Sequence, residues 1–400
     1  MTPATAVVFG AGNVGRGLLG QVFSQAGLEV VFVDVDDALV SALSGDRMYR
    51  HFTVDNDSRT ERVIEPVTAI RADDPAAVEA ALATASVAAT CVGVRVLPTV
   101  CRTIAPALLA RIEAGAPPLN LLLAENLHEA PAKVRQWLAD AEPALDTLLE
   151  AGAAGLIATS IGRMIPAPRE DLREFGPAVI EVEPYCHLPI DAAAIRGEFP
   201  SVPAVVIDPG VPFDYYADRK LFVHNMGHST CAYLGRLLGD DFIWQSIARP
   251  EVRALVRGAM VESASALACH YRHPVGPLLD HVDDLIYRFG NRALGDTVER
   301  VGRDPRRKLA AGDRLLGAHR LCLSQGVDPR HIRVGIAAGL SQLADEESPD
   351  AASAFLVEQG FSDPAERASV AALSDALHAG FDARTLDELL CARFRGALIP

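Results

Sequence analysis

The chain has 400 residues, of which half are hydrophobic and 22% are charged, and its formal net charge is −15 at pH 7. Because one hydrophobic core rarely grows to this size, two domains are expected. An acidic surface repels nucleic acid and anionic membranes, so we expect neither as a partner, and any site for an anion must concentrate positive charge locally.

The cysteines and the first apolar run indicate the cellular compartment. The seven cysteines are odd in number, scattered and without a CxxC pair: Cys91, Cys101, Cys186, Cys231, Cys269, Cys322 and Cys391. This spacing favours reduced thiols over a disulfide framework or a zinc knuckle. The first apolar run, residues 6–10, is too short to span a bilayer, and no cleavable signal sequence is evident. We therefore expect a cytoplasmic protein.

Residues 1–130 alternate short apolar runs with helical stretches, which is typical of a parallel sheet covered by helices on both faces. The predicted strands cover residues 6–9, 29–33, 63–70, 87–92 and 119–123, and the predicted helices cover residues 14–26, 75–85 and 98–114. Ligands of such sheets bind at the carboxyl ends of the strands, so the residues directly after each strand are the first candidates for a site.

The rest of the chain changes from strand-like to helical patterns. Runs at residues 178–182 and 204–207 have strand character, and we expect them to extend the sheet and to connect it to a second domain. Helices are predicted at residues 214–238, 250–271, 284–289 and 368–379. The predicted domains are residues 1–205, with the sheet and its extension, and residues 206–400, which are mainly helical.

The sequence GAGNVG follows the first predicted strand and opens the first predicted helix. A GxGxxG motif in this context is typical of dinucleotide-binding proteins. Gly10 permits the tight turn, Gly12 lets the backbone approach a pyrophosphate, and Gly15 lets the helix and the strand pack closely. The free N–H groups at the start of the helix, around Asn13 and Val14, would bind the pyrophosphate.

Asp34 ends the second predicted strand, at about the twenty-residue distance where dinucleotide-binding motifs place an acid. A carboxylate there accepts hydrogen bonds from the ribose hydroxyls and repels a 2′-phosphate, which favours NAD over NADP. The alternative is that Asp34 caps the following helix, alongside Asp36 and Asp37. Gly93, directly after the strand at 87–92, is assigned to the same cofactor. The pattern predicts an α/β fold: a Rossmann-type doubly wound sheet, followed by the helical domain.

The predicted helix at residues 214–238 contains Lys220, Asn225 and His228. On an α-helix, Asn225 lies roughly 140° from Lys220 and His228 roughly 80° from it, so the three side chains can converge on one small molecule. Partial burial lowers the pKa of a lysine, which makes it a competent general base near neutral pH. The alternative is a solvated basic face that includes Arg219, with His228 as a hydrogen-bonded core histidine.

The sequence KLFVHNMGH at residues 220–228, followed by AYLG at 232–235, closely resembles the signature of the polyol-specific long-chain dehydrogenases. FGAGNVGRG at 9–17, VERVGR at 298–303 and RKLAAGDRL at 307–315 also resemble segments of that family. The resemblance thus reaches both predicted domains. It implies an oxidoreductase that needs no metal and interconverts a secondary alcohol and a ketone.

The resemblance also assigns catalytic roles. It makes Lys220 the general base, which takes the hydroxyl proton during oxidation and returns it during reduction. It makes Asn126 and Asn225 the pair that holds the developing alkoxide, and His228 a residue that orients the substrate. Asn126 lies three residues after the end of the strand predicted at 119–123. The first substrate pair that the resemblance suggests is mannitol 1-phosphate and fructose 6-phosphate, with NAD as cofactor.

Two departures from the family pattern leave the substrate open. In the family, an arginine usually follows this asparagine within a few residues, but residues 126–131 are NLHEAP. Gly162-Arg163-Met164 stands where the family has Asp-Arg-Ile. An unphosphorylated polyol, a sugar acid or a cyclitol phosphate is therefore an alternative substrate for the same chemistry. A non-catalytic NAD sensor is an alternative of a different class, which the intact lysine, asparagine and histidine set disfavours.

Positive charge concentrates in one segment of the chain, at Arg303, Arg306, Arg307, Lys308 and Arg314. Because arginine binds phosphate through two parallel hydrogen bonds, we assign a substrate phosphate to Arg303, Arg307 or Arg314, with Arg163 as a separate candidate. The alternative is a solvated helix start that pairs with Glu299, Asp304 and Asp313.

Neither a metal nor a partner protein is expected from the sequence. Cys269, His270, His273 and His281 lie near one another in the chain, but they lack the spacing of a site such as HExxH. The chain is large enough to work as a monomer, so we expect a monomer or a small homo-oligomer.

Overall fold

The structure is a computed structural model, and it describes residues 4–127, 129–166, 169–361 and 363–379. The chain divides into two compact units, of which the first ends at Phe213 and the second begins at Asp214. The boundary predicted after residue 205 falls inside the first unit, because Val205–Val206 is a strand that pairs in parallel with Leu188–Pro189.

The first unit contains every strand named here. The strands are β1 Thr5–Phe9, β2 Glu29–Asp34, β3 Tyr49–Asp55, β4 Ser58–Ile64, β5 Val67–Arg71, β6 Ala85–Thr90, β7 Leu119–Leu123, β8 Ala154–Ala158, β9 Ile180–Val182, β10 Leu188–Pro189 and β11 Val205–Val206. Its first helix, α1, covers residues 13–25 and includes the π-helical segment Gly15–Gly20. The other helices are α2 Asp37–Asp46, α3 Pro75–Thr84, α4 Leu97–Glu113, α5 Ala130–Ala141 and α6 Ala144–Glu150, with short 3₁₀ turns at Glu170–Phe175 and Ala192–Ala194.

Six strands form one parallel sheet in the order β5-β2-β1-β6-β7-β8. Helix α1 covers one face, where Leu18 and Phe23 enter the hydrophobic core. Helices α3 and α4 cover the other face with side chains such as Leu82 and Ile104. All five residues of β7 are buried, as expected for a strand covered on both sides. The predicted doubly wound parallel sheet is confirmed.

Two strand predictions are corrected. The single strand expected at residues 63–70 is the end of β4 and the start of β5, and Pro66 between them has no N–H for a sheet hydrogen bond. The runs at 178–182 and 204–207 do not extend the main sheet. Instead β9 pairs with β3 in a separate sheet of order β4-β3-β9, and β11 pairs with β10.

The second unit is mainly helical, as predicted. Its elements are α7 Asp214–Asp218, a π-helical segment Arg219–Asn225, α8 Met226–Leu237, α9 Ile243–Ala248, α10 Pro250–Tyr271, α11 Gly276–Phe289, a 3₁₀ turn Arg292–Leu294, α12 Val298–Gly302, α13 Pro305–Lys308, α14 Arg314–Ser324, α15 Arg330–Glu346, α16 Pro349–Glu358 and α17 Pro364–Ala379. Within the described ranges, no helix combines the length and the apolar character that crossing a bilayer requires.

Six of the cysteines lie among the described residues, and each of them is a free thiol. Cys391 lies outside the described residues.

Candidate cofactor and catalytic sites

The glycine motif forms the turn between β1 and α1. Gly10 has φ +105°, in the left-handed region, and a Cβ on it would lie 3.1 Å from the carbonyl oxygen of Cys91. A Cβ on Gly15 would lie 2.0 Å from the carbonyl oxygen of Gly10, so no side chain fits there without moving the turn. A Cβ on Gly12 would meet nothing within 4 Å. The backbone at Gly12 is therefore open to a ligand, as a bound pyrophosphate requires.

The helix after this turn begins at Asn13, which is exposed, and Val14, which is half-buried. Their position at the start of α1 gives an anion access to the free N–H groups of the first turn. Arg16 stabilises the turn by two hydrogen bonds. Its Nε donates to the carbonyl oxygen of Ala11 at 2.5 Å, and its Nη1 donates to the carbonyl oxygen of Val179 at 3.0 Å. No role for this buried arginine was predicted from the sequence.

Asp34 lies at the carboxyl end of β2, beside the glycine turn. Its Oδ2 accepts a hydrogen bond from the N–H of Ala11 at 2.5 Å, and its Oδ1 accepts from the N–H of Val35 at 2.7 Å. Asp36 caps α2 instead, accepting from the N–H groups of Ala38 and Leu39. The alternative that Asp34 caps the helix is therefore wrong, and its contact with the cofactor ribose stays a prediction.

Gly93 and Asn126 follow β6 and β7, the next two strands of the sheet. Gly93 has φ +84°, and a Cβ on it would meet nothing within 4 Å. Asn126 is exposed at the end of β7. Because β2, β1, β6 and β7 are neighbours in a parallel sheet, the structure brings the glycine turn, Asp34, Gly93 and Asn126 to one edge.

The second unit holds the lysine helix, and part of it departs from α geometry. Lys220 and Asn225 lie in the π-helical segment Arg219–Asn225. Hydrogen bonds in a π-helix join residues i and i+5, so these two residues are about one turn apart on the same side. The separation of roughly 140° expected for an α-helix therefore does not apply, and the π-helical backbone reduces the angle between the two residues.

Lys220 is partly buried, and burial together with the charge of Arg314 lowers its pKa to about 8. Its neighbour Arg219 points to a different place, with its guanidinium 5.0 Å from the ring centre of Tyr216. The partial burial of Lys220 and the contact of Arg219 with Tyr216 are inconsistent with a solvated basic face. The lowered pKa gives Lys220 the neutral amine that a general base needs near neutral pH.

His228 lies next to a buried carboxylate. Its Nε2 is 3.0 Å from Oδ2 of Asp296, and the His228 side chain is 14% exposed. Its ring stacks on Phe289 with the ring centres 4.8 Å apart. Burial opposes ionisation of Asp296, but its contacts with His228 and Arg300 hold its pKa below the ordinary value. The ring of His228 is therefore contacted from two sides, and its contact with Asp296 was not predicted from the sequence.

The four arginines proposed for phosphate have different environments. Arg163 is buried in the first unit, where it donates to the carbonyl oxygens of Gly17 and Glu183, each at 2.9 Å, and to Gln21 Oε1 at 2.6 Å. These bonds hold the guanidinium of Arg163 within the first unit. Arg163 is therefore no longer a candidate for the phosphate contact. Arg303 is exposed in the turn after α12.

Arg307 and Arg314 also differ. Arg307 is exposed and pairs with Asp304 at 2.7 Å and with Asp313 at 3.3 Å, as the solvated helix start predicts. The side chain of Arg314 is 15% exposed, and its Nε lies 2.8 Å from Asp313 Oδ1. One turn further along α14, a Cβ on Gly317 would lie 2.5 Å from the ring of Phe222. The start of α14 therefore packs against the lysine segment, which places the charge of Arg314 near Lys220.

The described part of the chain contains no group of three His, Cys, Asp or Glu side chains arranged to hold a metal ion. Of the residues considered at the sequence level, His273 places its ring against that of Tyr215, with the ring centres 4.9 Å apart. His270 makes a similar contact with Tyr271.

Comparison with known proteins establishes the class. Residues 4–203 match the mannitol dehydrogenase Rossmann domain and residues 213–369 match the mannitol dehydrogenase C-terminal domain. The chain therefore belongs to the mannitol dehydrogenase family, which confirms the resemblance found in the sequence. Together with the glycine turn and Asp34, this makes it an NAD-dependent polyol oxidoreductase.

A curated relative is the mannitol-1-phosphate 5-dehydrogenase of Brevibacillus brevis, 34% identical over 340 residues, which cover 84% of this chain and 85% of the relative. Two solved structures share the fold. A substrate-free D-sorbitol dehydrogenase has a TM-score of 0.74 at 18% identity, covering 98% of this chain and 94% of its own. A Pseudomonas fluorescens mannitol 2-dehydrogenase complex with NAD and D-mannitol has a TM-score of 0.71 at 17% identity, covering 98% and 95%.

Proposed function

We propose that this dehydrogenase interconverts a polyol phosphate and a ketose phosphate, and that mannitol 1-phosphate and fructose 6-phosphate are the pair. The observation that supports a phosphorylated substrate is Arg314, a largely buried arginine close to Lys220. The similarity to a mannitol-1-phosphate 5-dehydrogenase over most of both chains supports the same pair.

The contacts of Arg314 suit a phosphate ligand. Its ion pair with Asp313 is made through Nε, and among the described residues its two terminal nitrogens make no hydrogen bond, so both are available to phosphate oxygens. The exposed Arg307 already pairs with two carboxylates. An ion pair between a phosphate and an arginine as exposed as this one would contribute little binding energy. We therefore assign the phosphate to Arg314 ahead of Arg303 and Arg307.

Lys220 is proposed as the general base. In the oxidative direction its neutral amine takes the proton of the substrate hydroxyl, and in the reductive direction its ammonium returns that proton. The nicotinamide ring of NAD, when bound, accepts or supplies the hydride. Asn225 and Asn126 are proposed to donate hydrogen bonds to the alkoxide, and His228, held by Asp296, to orient a neighbouring hydroxyl of the substrate.

We also propose that the protein works in the cytoplasm, as a monomer or a small homo-oligomer, and that it binds no nucleic acid. The free thiols of the described cysteines and the net charge of −15 support this assignment.

Replacing Arg314 by Gln tests the phosphate assignment. In the wild-type protein, oxidation of NADH, followed by absorbance, should be fast with fructose 6-phosphate and slow with fructose. The R314Q variant should lose about 10–100-fold in kcat/KM for fructose 6-phosphate, because a hydrogen bond to a charged group contributes about 1.5–3 kcal/mol. Its kcat/KM for fructose should change little. Arg307→Gln, the matched control, should retain the preference for the phosphorylated sugar.

Three results would contradict this assignment. Equal turnover of fructose and fructose 6-phosphate by the wild-type protein would favour an unphosphorylated polyol. Turnover of neither ketose, with tight NADH binding, would redirect the search to sugar acids and cyclitol phosphates. Binding of NADH without turnover of any polyol or ketose would favour the non-catalytic sensor.

The pH dependence of the reaction should follow the pKa of Lys220, which is about 8. Polyol oxidation needs the neutral amine, so kcat/KM should rise through about pH 8 and level off above it, whereas ketose reduction should decline over the same interval. In R314Q the positive neighbour of Lys220 is lost, and the midpoint of both profiles should move to higher pH. A profile that is flat between pH 6 and 10 would exclude Lys220 as the group that titrates.

A further inference from the structure

A buried carboxylate joins two turns at the ligand-binding edge of the main sheet. Glu125, the second residue after β7, is 7% exposed. Its Oε2 accepts a hydrogen bond from Oγ1 of Thr90 at 2.8 Å, and its Oε1 accepts from the N–H of Val92 at 3.0 Å. Thr90 ends β6 and is itself completely buried. One side chain therefore connects the end of β7 to the end of β6.

Glu125 is unusual because none of the described residues forms an ion pair with it. Burial raises the pKa of Glu125, and hydrogen bonds from Thr90 and from the backbone of Val92 and Gly93 oppose that shift. Burying a carboxyl group without a cation is costly, and an apolar residue would pack this position at lower cost. The hydrogen bonds that Glu125 makes are therefore the property that distinguishes it from a packing residue.

The two turns that Glu125 connects both face the cofactor edge. In the turn after β6, the Sγ of Cys91 lies 3.1 Å from the carbonyl oxygen of Gly10, so this turn packs directly against the glycine turn. In the turn after β7, the N–H of Leu127 donates to the carbonyl oxygen of Glu125 at 2.9 Å, which keeps the segment around Asn126 tight.

We propose that Glu125 is a positioning residue for the dinucleotide: by holding Val92 and Thr90, it fixes the cofactor turn at residues 91–93 against the turn that presents Asn126. Glu125 does not touch the reacting atoms in this arrangement. The importance of Asn126 rests on the proposed function, whereas the effect of Glu125 on cofactor affinity depends only on the NAD site.

Glu125→Met tests this proposal with little change in side-chain length. Methionine offers no strong acceptor, so the N–H of Val92 and the hydroxyl of Thr90 both lose their partner. We expect the Kd for NADH, measured by fluorescence titration, to rise about tenfold or more. Thr90→Val removes one of the two contacts and should raise the Kd by a smaller factor. Glu113→Met, the same change at an exposed position at the end of α4, should leave the Kd unchanged.

Measuring thermal melting on the same samples separates positioning from folding. A folded E125M protein with the wild-type Kd for NADH would overturn the proposal, even if its melting temperature fell. If E125M does not fold, Thr90→Val decides: a raised Kd supports the proposal, and a wild-type Kd overturns it. Since NADH binding requires no sugar substrate, failure here is distinct from failure of the phosphate assignment.

Discussion

Replacing Lys220 by Met should lower kcat by about 10²–10⁴-fold and leave the affinity for NADH unchanged. Methionine fills a similar volume, so the variant removes the ionisable amine while largely preserving the packing of the π-helical segment. The measurement is NADH oxidation at saturating ketose, accompanied by fluorescence titration with NADH. The residual activity should also lack the change in rate with pH that follows the titration of Lys220.

The matched control for this variant is Lys133→Met on α5, where the lysine is exposed. It should keep the wild-type kcat. A K220M protein with nearly normal turnover would show that the proton is handled by another group, and Lys220 would then be a structural lysine.

Replacing Asn225 by Ala should lower kcat by about 10²–10³-fold, the usual effect of removing a hydrogen-bond donor from a developing oxyanion. The π-helical segment sets Asn225 on the side of Lys220, so its amide and the amine can act on the same oxygen. The KM for the ketose should change less than kcat, because the interaction strengthens in the transition state.

Asn225→Asp provides the sharper comparison, because the new side chain has almost the same size but carries a negative charge. A carboxylate repels an alkoxide, so this variant should lose at least as much activity as Asn225→Ala. If the N225D protein supported turnover within about tenfold of wild type, Asn225 could not be the donor to the alkoxide.

The parts of the fold that sequence predicted well are those with strong local patterns. The strand at 119–123 and the helix at 250–271 have the predicted bounds, because a continuous apolar run and a long amphipathic stretch each define an element without distant contacts. The run at 178–182 was assigned to the wrong sheet. Its partner, β3, lies more than a hundred residues earlier, and no local pattern identifies such a pairing.

The candidate site was also only partly predictable. The glycine turn and Asp34 follow a fixed spacing, and the lysine segment was identified by family resemblance. The π-helical geometry of residues 219–225 was missed, since nothing in the local sequence distinguished it from an α-helix. Asp296 and Glu125 were missed because their roles depend on contacts with residues on other elements. Burial, which sequence alone did not reveal, removed Arg163 from the phosphate candidates.

The most direct test of the proposed reaction is the fate of the hydride. The purified protein would be supplied with fructose 6-phosphate and NADH deuterated at the transferable C4 position, and the products would be analysed by mass spectrometry. We expect a hexitol phosphate that carries the deuterium on carbon, formed in proportion to the NAD⁺ produced. Tight binding of the labelled NADH with no labelled hexitol phosphate would contradict the proposal that this chain is a polyol-phosphate dehydrogenase acting on fructose 6-phosphate.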